Sequence, residues 1–189
     1  MTRIGVLALQ GDFLEHIQIL DSLGVDAPEI RLPSQLEGLD GLIIPGGEST
    51  TIVKLADLYG LREAIARFAA DGGPLWGTCA GMIVVARDLT DPYPEPFGLI
   101  DITVSRNGFG RQVDSFEADL DIDGLEGAPF RGVFIRAPVV TDVGEGVERL
   151  SSLEDGTPVA VRSDKIIATA FHPELTDDTR VHELFLSLI

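Results

Sequence analysis

The sequence predicts an α/β protein: a single three-layer domain over residues 1–189, with a mostly parallel central sheet, flanking helices and an antiparallel extension in the C-terminal half. Short apolar runs that end in glycine alternate with amphipathic segments, which is typical of an open α/β sheet. The first run, "RIGVLALQG", is apolar throughout, as expected for a strand covered on both faces. No repeat and no long linker divides the sequence.

The N-terminal half supplies alternating strands and helices. After the first strand, Phe13, Ile17 and Leu20 recur at helical spacing, with Asp12 as a candidate N-cap and Gly24 as a candidate stop. The other predicted elements are strands in "APEIRL" and "LDGLIIPGG", helices over 49–57 and 60–71, a strand in "GPLWGTC" and a helix from Ala80 to Arg87.

After Asp88 the pattern changes. A proline-rich stretch leads into a strand-like segment, and "FEADLDIDGL" and "FRGVFIRAPVV" alternate or run apolar in the manner of antiparallel strands. "PVAVRSDKIIATAFHPE" predicts two strands joined by a turn at Ser163–Asp164, and "TDDTRVHELFLSLI" predicts an acidic-capped C-terminal helix.

Composition excludes several classes of function. The net charge is −17 and no Lys/Arg-rich run occurs, so nucleic-acid binding is not expected. One cysteine forms no internal disulfide and no C-x-x-C zinc site. The N-terminal apolar run is too short to span a bilayer and lacks a cleavage site, so we expect a cytoplasmic protein without membrane contact.

The only cysteine lies in "WGTCAGM". Gly77 and Gly81 flank Cys79 as G-T-C-A-G, the cysteine version of the tight strand-to-helix turn G-x-S-x-G. A helix that starts at this turn directs its N-terminal N–H groups at the sulfur and favours the thiolate, and the Ala80 N–H would face a developing oxyanion. The alternative is a buried packing cysteine, which is the commoner kind.

A nucleophilic cysteine needs a base, and the chain has three histidines. His16 and His182 fall on predicted amphipathic helices, where a surface or packing role is favoured. His172 ends the apolar strand "IIATAF", and Glu174 follows two residues later, on the same face of an extended chain. A carboxylate there could orient the imidazole and stabilise the imidazolium, although "FHPE" could also be an ordinary strand end.

The loop "PGGESTT" is a third candidate element. Gly46 and Gly47 close a strand and free backbone N–H groups for a second oxyanion donor. The alternative is a simple turn followed by an N-cap at Ser49. The chain has neither G-x-x-x-x-G-K-[ST] nor G-x-G-x-x-G, so phosphate binding is not indicated.

"PGGEST", "GTCAG" and "FHPE", in that order, resemble class I glutamine amidotransferases. "IGVLALQGDFLEHI", "RNGFGRQVDSFE", "GVFIRAP" and "ATAFHPEL" are similar to one branch of them, the glutaminase subunits of pyridoxal 5'-phosphate synthase. The resemblance implies that L-glutamine is hydrolysed to glutamate and ammonia, and that ammonia passes to a synthase subunit in a hetero-oligomer. It implies a triad of Cys79, His172 and Glu174, an oxyanion hole from the Gly47 and Ala80 N–H groups, and no metal or cofactor.

The resemblance also implies a set of glutamine-binding positions: Gly46, Gly47, Glu48, Arg106, Ile135 and Arg136. On chemical grounds, Arg106 or Arg136 could pair with the α-carboxylate and Glu48 could face the α-amino group. A surface ion pair is the alternative role for each arginine. Gln10, at the end of the first strand, is a candidate link between the partner subunit and the glycine loop, or else a plain strand-end residue.

Two other functions are compatible with parts of this pattern. One is a hydrolase on the same scaffold, either a free γ-glutamyl hydrolase or the glutaminase subunit of another amidotransferase, against which the segment "GRQVDSFE" argues. The other is a regulatory binding module without chemistry. A complete set of Cys79, His172 and Glu174 argues against that module.

Overall fold

The computed structural model describes residues 2–106, 108 and 115–189. Its strands are β1 (Ile4–Leu7), β2 (Glu29–Ile30), β3 (Gly41–Ile44), β4 (Leu75–Thr78), β5 (Ala86–Leu89), β6 (Ile100–Ser105), β7 (Ser115–Leu120), β8 (Phe130–Ile135), β9 (Val139–Val143), β10 (Glu148–Ser152), β11 (Pro158–Ser163) and β12 (Ile166–Thr169). Its helices are α1 (Phe13–Ser22), α2 (Ser49–Leu58), α3 (Leu61–Ala70), α4 (Ala80–Val85) and α5 (Arg180–Leu186), with short 3-10 helices at Pro33–Leu36 and Pro173–Leu175.

A seven-stranded sheet forms the centre of the molecule, in the order β10-β11-β12-β4-β3-β1-β2. The five strands from β12 to β2 pair in parallel, and β10 and β11 add antiparallel strands at one edge. The predicted fold class is therefore confirmed. The chain runs from β1 to β2 on one side and returns to β3 on the other, which opens a crevice at the carboxyl ends of β1 and β3.

The two faces of β4 show why the sheet is covered on both sides. Trp76 packs its ring against His182 and Phe185 of α5 on one face. Gly77 points to the other face, where a Cβ would lie 2.5 Å from the carbonyl oxygen of Gly81 in α4. Successive residues of a strand face opposite sides, so β4 is apolar throughout rather than alternating. All four of its residues are buried.

The C-terminal half contains two smaller sheets. β7 and β8 form an antiparallel hairpin, as predicted. β5, β6 and β9 form a three-stranded sheet in which β5 and β6 are parallel, a pairing that the sequence patterns did not predict. The sequence patterns did not predict β10 either. β11 and β12 flank a turn in which Asp164 has a positive φ of 51°, in agreement with the predicted turn.

Two predicted helix details are wrong. The helix that starts at Ala80 ends at Val85 instead of Arg87, because Ala86 begins β5 and pairs with Ile100. Asp12 precedes α1 but makes no capping hydrogen bond, since its carboxylate lies toward His172 instead, 3.6 Å from Nδ1. Among the described residues, no helix has the length and apolar character needed to cross a bilayer.

Candidate active site

Four neighbouring parallel strands end at one cleft with a volume of about 400 Å³. β1, β3, β4 and β12 direct residues from their carboxyl ends into it, as expected at the crevice of an open α/β sheet. The lining residues are Gln10, Asp12, Gly47, Glu48, Ser49, Cys79, Ala80, Ile83, Arg106, Ile135, Arg136, His172 and Leu175. The predicted site residues are therefore brought together here, except Gly46 and Glu174, which lie behind the surface of the cleft.

Cys79 sits at the predicted tight turn between β4 and α4. Its backbone has φ 47° and ψ −105°, a conformation that L-residues rarely adopt and that is strained by about 1–3 kcal/mol. The Cys79 N–H donates to the carbonyl of Thr169 at 2.8 Å, which ties the turn to β12. Only 7% of the residue is exposed, yet it lines the cleft, so the turn presents the sulfur at one open side.

The glycines of the turn allow close backbone approach. A Cβ on Gly81 would clash with the carbonyl oxygen of Ile44 at the end of β3. This carbonyl is part of the sheet and cannot shift to make room, so position 81 accommodates only a residue without a Cβ atom. The predicted role of the flanking glycines is confirmed.

Gly81→Ala is expected to destabilise the protein by about 1–3 kcal/mol, the usual range for overpacking against a rigid neighbour. Urea unfolding measures the change. Gly41→Ala is the matched control, because its new Cβ would meet only side-chain ends, Ile4 Cδ1 at 3.0 Å and Phe185 Cζ at 3.1 Å. An equal loss in the two variants would contradict a specific backbone clash at Gly81.

His172 follows β12 and faces both Cys79 and Glu174. Its Nδ1–H donates to Glu174 Oε1 at 2.7 Å, and its backbone N–H donates to the Val133 carbonyl of β8 at 2.8 Å. With Nδ1 occupied, Nε2 is the nitrogen left for the Cys79 sulfur. The His172 ring is thus held by two neighbouring elements, at 4% exposure.

The electrostatics of this pair favour an imidazolium. Burial works to lower the pKa of His172, but hydrogen bonds and charges from Cys79 and Glu174 outweigh it and raise that pKa to about 10. Burial raises the pKa of Glu174, against the opposing hydrogen bond and charge of His172. A positive ring between a sulfur and a buried carboxylate is an arrangement suited to general acid–base work next to a thiolate.

The glycine loop after β3 is held in place by the residues that follow β1. Gln10 Oε1 accepts the Glu48 N–H at 2.6 Å, and the Asp12 N–H donates to the Gly46 carbonyl at 3.1 Å. Gly47 has a positive φ of 151°, and a Cβ there would lie 2.5 Å from Gln10 Oε1. Gln10 therefore contacts the loop directly, and only glycine fits at position 47.

Gly46 does not line the cleft but lies beneath the His172 ring. A Cβ on Gly46 would lie 2.5 Å from His172 Cε1.

Ala80, as the first residue of α4, presents one of the N–H groups that lack a partner inside the helix. The two predicted oxyanion donors, Gly47 in the loop after β3 and Ala80 at the start of α4, both line the cleft with Cys79.

The N-cap of α2 is Glu48, not Ser49 as the alternative prediction had it. The Glu48 carboxylate accepts the backbone N–H groups of Thr50 at 3.3 Å and Thr51 at 2.8 Å. These bonds outweigh burial and lower the pKa of Glu48, with a further contribution from Arg106. Ser49 is the first helical residue and is buried, and the Glu48 side chain caps the helix in its place.

Arg106 is paired with Glu48 in this structure. Its Nη2 donates to Glu48 Oε1 at 3.0 Å and its Nη1 to the Tyr93 carbonyl at 2.9 Å. Ile135 and Arg136 approach from the end of β8, where Arg136 has a positive φ of 43° and the Ile135 carbonyl lies 3.9 Å from Cys79 Sγ. Most of the "GRQVDSFE" segment, residues 110–114, lies outside the described residues.

Three ligand atoms of Asp12, His172 and Glu174 lie within 4.8 Å of one another, close enough to hold a metal ion. The His172 atom in this group is Nδ1, which already donates to Glu174 at 2.7 Å. This hydrogen bond accounts for the proximity of the three groups, and the arrangement carries no metal proposal.

Sequence reasoning missed two residues behind the cleft. His16 and His182 are each 0% exposed, so the packing role is right and the surface role is wrong. They also make polar contacts: His16 Nδ1 lies 2.9 Å from His182 Nε2, and His16 Nε2 lies 3.4 Å from Glu174 Oε2. No local pattern in the sequence indicates these contacts, because His16 and His182 lie 166 positions apart in the chain.

Comparison with known proteins gives the class. The chain belongs to the SNO glutamine amidotransferase family, whose model matches residues 6–189. A solved structure described as a glutamine amidotransferase is similar to it at 51% identity and a TM-score of 0.93, covering 98% of this chain and 97% of that one. The PurLQS structure from Thermotoga maritima shares the fold at 16% identity, with a TM-score of 0.78 and 98% coverage of both chains.

More specific relatives bear a single name. The protein of Herpetosiphon aurantiacus named pyridoxal 5'-phosphate synthase subunit PdxT is 57% identical over 98% of this chain and 99% of its own. The proteins of that name from Dehalococcoides mccartyi and Thermus thermophilus are 55% and 56% identical, each over 98% of this chain and 96% of their own. The resemblance found in the sequence is thereby confirmed.

Proposed function

We propose that this chain hydrolyses L-glutamine to L-glutamate and ammonia through a thioester on Cys79, and that it supplies the ammonia to a synthase subunit that makes pyridoxal 5'-phosphate. The observation that carries the proposal is the alignment of Cys79, His172 and Glu174 at adjacent strand ends in a member of the glutamine amidotransferase family. The names of the relatives, at 52–57% identity, support the pathway.

The geometry supports a two-step mechanism. The Cys79 thiolate attacks the side-chain amide carbon of glutamine, and the imidazolium of His172 gives its Nε2 proton to the departing nitrogen, which leaves as ammonia. A water molecule then loses a proton to Nε2 and attacks the thioester, which releases glutamate and restores thiolate and imidazolium. Glu174 holds Nδ1–H throughout, so the ring neither turns nor changes tautomer.

The remaining roles are assigned to the cleft. We propose that the N–H groups of Gly47 and Ala80 hold the oxyanion, and that Gly46 supports them from beneath. A glutamine zwitterion offers a carboxylate for Arg106 or Arg136 and an ammonium for Glu48. Arg106 and Glu48 are already paired at 3.0 Å, so both groups are poised at the cleft for exchange of partners. Ile135 would cover the apolar part of the substrate.

The proposal extends to the whole chain and its setting. Residues 1–189 would act as one glutaminase domain, without metal or cofactor. A nucleophilic thiol that must stay reduced supports a cytoplasmic location. Another amidotransferase subunit or a free γ-glutamyl hydrolase is less well supported, because the relatives compared above carry one name. A non-catalytic regulatory module is disfavoured by the buried, ordered His172–Glu174 pair.

Partner control of the glutaminase is the expected behaviour, because ammonia released away from the synthase subunit is wasted. The isolated chain should turn over glutamine at least about tenfold more slowly than the complex. The reason is that Gln10 holds the loop through the Glu48 N–H, while the neighbouring Gly46–Gly47 peptide must present the Gly47 N–H to the oxyanion, a change of orientation that glycine makes at low cost. Steady-state glutamate release, with and without the synthase subunit, measures the activation.

Gln10→Ala removes the acceptor of the Glu48 N–H and should alter the activation ratio without preventing assembly. If the isolated wild-type chain already works at the rate of the complex, partner control is wrong and the protein is a free-standing glutaminase. If Gln10→Ala leaves the ratio unchanged, Gln10 is a plain strand-end residue and the link to the loop lies elsewhere.

A further inference from the structure

A line of buried polar side chains continues behind Glu174, away from the cleft. His172 Nδ1 lies 2.7 Å from Glu174 Oε1, Glu174 Oε2 lies 3.4 Å from His16 Nε2, and His16 Nδ1 lies 2.9 Å from His182 Nε2. The side chains of Glu174 and His16 are both 0% exposed, and the whole of His182 is 0% exposed. Three separate elements, the 3-10 helix after β12, α1 and α5, contribute one residue each.

The order of donors along this line is determined by its ends. His182 Nδ1 has no hydrogen-bond partner among the described residues, so a proton there would leave a buried donor unsatisfied. The proton of a neutral His182 therefore belongs on Nε2, which donates to His16 Nδ1. His16 then carries its own proton on Nε2, directed at the carboxylate. The opposite arrangement would place a ring lone pair against Glu174 Oε2.

The second oxygen of Glu174 depends on His16. Oε2 has no hydrogen-bond partner within residues 2–106, 108 and 115–189, and His16 Nε2 lies 3.4 Å from it. His16 Nε2 is hydrogen-bonded to Thr78 Oγ1 at 3.2 Å, longer than a typical N–H···O bond of about 2.9 Å, so its N–H also lies within electrostatic range of this oxygen. A carboxylate oxygen that is buried without a hydrogen bond is costly as an anion, and a ring N–H directed toward it reduces that cost.

The surroundings hold the two imidazoles in place. The Trp76 ring meets His16 at a centroid distance of 5.5 Å and His182 at 4.9 Å, edge to face in each case. Burial, together with the other histidines, lowers the pKa of His16, and burial lowers the pKa of His182 to about 4. Both rings are therefore neutral at physiological pH, and each has one donor and one acceptor nitrogen.

Resting on the proposed function, we infer that His16 is a positioning residue: its Nε2–H keeps Glu174 ionised and turned toward His172, and His182 sets the tautomer of His16 that makes this possible. The line does not move a proton to or from glutamine. It maintains the charge of the carboxylate so that the His172 imidazolium and the Cys79 thiolate persist together.

Five titratable groups act on Glu174 or its neighbours. His172 donates to Oε1, His16 faces Oε2, and Asp12 at the start of α1 raises the carboxyl pKa by its charge. His182 of α5 faces only His16, and Cys79 at the end of β4 faces only His172. Of the two neutral rings in this set, His16 is the one that faces the carboxylate, so its loss should raise the Glu174 pKa.

The test compares two residues of similar length at position 16. His16→Gln keeps an N–H donor near the place of Nε2, and His16→Met removes it. We expect His16→Met to lower kcat about tenfold to a hundredfold relative to His16→Gln, the effect of one hydrogen bond to a charged group, with KM little changed. Phe185→Leu, which disturbs the same aromatic packing without touching the polar line, is the control.

A pH profile separates this role from packing. Activity falls as pH drops through the pKa of Glu174, because the protonated acid no longer stabilises the imidazolium. Removing the His16 donor raises that pKa, so the acid limb of kcat/KM should move to higher pH by about 1–2 units in His16→Met and not in Phe185→Leu. His182→Met should shift the limb in the same direction but less far.

The rate of Cys79 alkylation by iodoacetamide against pH is read in parallel, because it reports the thiolate–imidazolium pair without glutamine turnover. A shifted alkylation profile in His16→Met, with His16→Gln close to wild type, supports the inference even if wild type proves inactive on glutamine, which would contradict only the proposed function. The inference would be overturned if His16→Met, His16→Gln and wild type gave the same alkylation profile against pH, with urea unfolding showing that all three proteins are folded. If both His16 variants fail to fold, His182→Met decides the question: an alkylation profile that is not shifted from wild type would also overturn the inference.

Discussion

Cys79→Ala is expected to lower glutamine hydrolysis by at least about 10⁴-fold, because loss of the nucleophile leaves the other groups of a triad nothing to activate. The sulfur is the only thiol in the chain and lies beside His172 in the cleft. Ser49 also lines the cleft, but a neutral serine hydroxyl is a much weaker nucleophile than a thiolate paired with an imidazolium. Glutamate release by the variant, alone and with the synthase subunit, measures the loss.

The same substitution should leave the fold intact. Cys79 contributes one buried sulfur, and alanine at φ 47° is no more strained than cysteine, so we expect a change of at most about 1–2 kcal/mol in the free energy of unfolding. Urea unfolding and co-purification with the synthase subunit are the controls. A folded, partner-bound Cys79→Ala protein that retains glutaminase activity would contradict the thioester mechanism.

Glu174→Gln is expected to lower kcat by about 10²–10⁴-fold. The neutral amide still fills the space, but it no longer stabilises the imidazolium, and loss of the orienting carboxylate from a serine triad costs about 10⁴-fold. A smaller loss is expected here, because a thiolate needs less help from its base than a serine hydroxyl. The amide adds a conflict of its own: one oxygen cannot accept from both His172 and His16, so one buried N–H meets an NH₂ group.

The pH dependence of stability checks the same claim. The folded pKa of His172 is raised to about 10, so the imidazolium contributes stability that is fully present below its unfolded value and is lost as pH rises toward 10. Glu174→Gln removes one cause of the raised pKa, so the stabilisation should be smaller and its loss should be complete at a lower pH. NMR titration of the His172 ring in both proteins reads the shift directly. An unchanged kcat and an unchanged His172 pKa would mean that Glu174 is only structural.

Much of the site could be predicted because its chemistry is carried by local sequence. A lone cysteine between two glycines predicts a strained turn, and the structure places Cys79 at φ 47° with a backbone carbonyl against Gly81. Likewise "FHPE" sets His172 and Glu174 two residues apart at a strand end, and they meet at 2.7 Å. In both cases the residues that interact are neighbours in the chain.

The features that were missed arise from long-range contacts. His16 and His182 are separated by 166 positions, and nothing in either helix pattern indicates that their rings meet behind Glu174. The parallel pairing of β5 with β6 depends equally on tertiary packing. Ser49 was expected to cap α2 from its residue type, but Glu48 is paired with Arg106 and lies across the helix start, so a partner from a distant segment selects the cap.

The most direct measurement of the central claim is stoichiometric labelling with a glutamine-analogue electrophile, followed by peptide mass spectrometry. The account predicts one label per chain, on Cys79, with glutaminase activity falling in proportion to labelling and glutamine protecting the thiol. Cys79→Ala should take up no label, and Glu174→Gln should label more slowly at neutral pH. Full glutaminase activity in a chain whose Cys79 is completely labelled, or active protein that the electrophile never labels, would contradict thioester catalysis at Cys79.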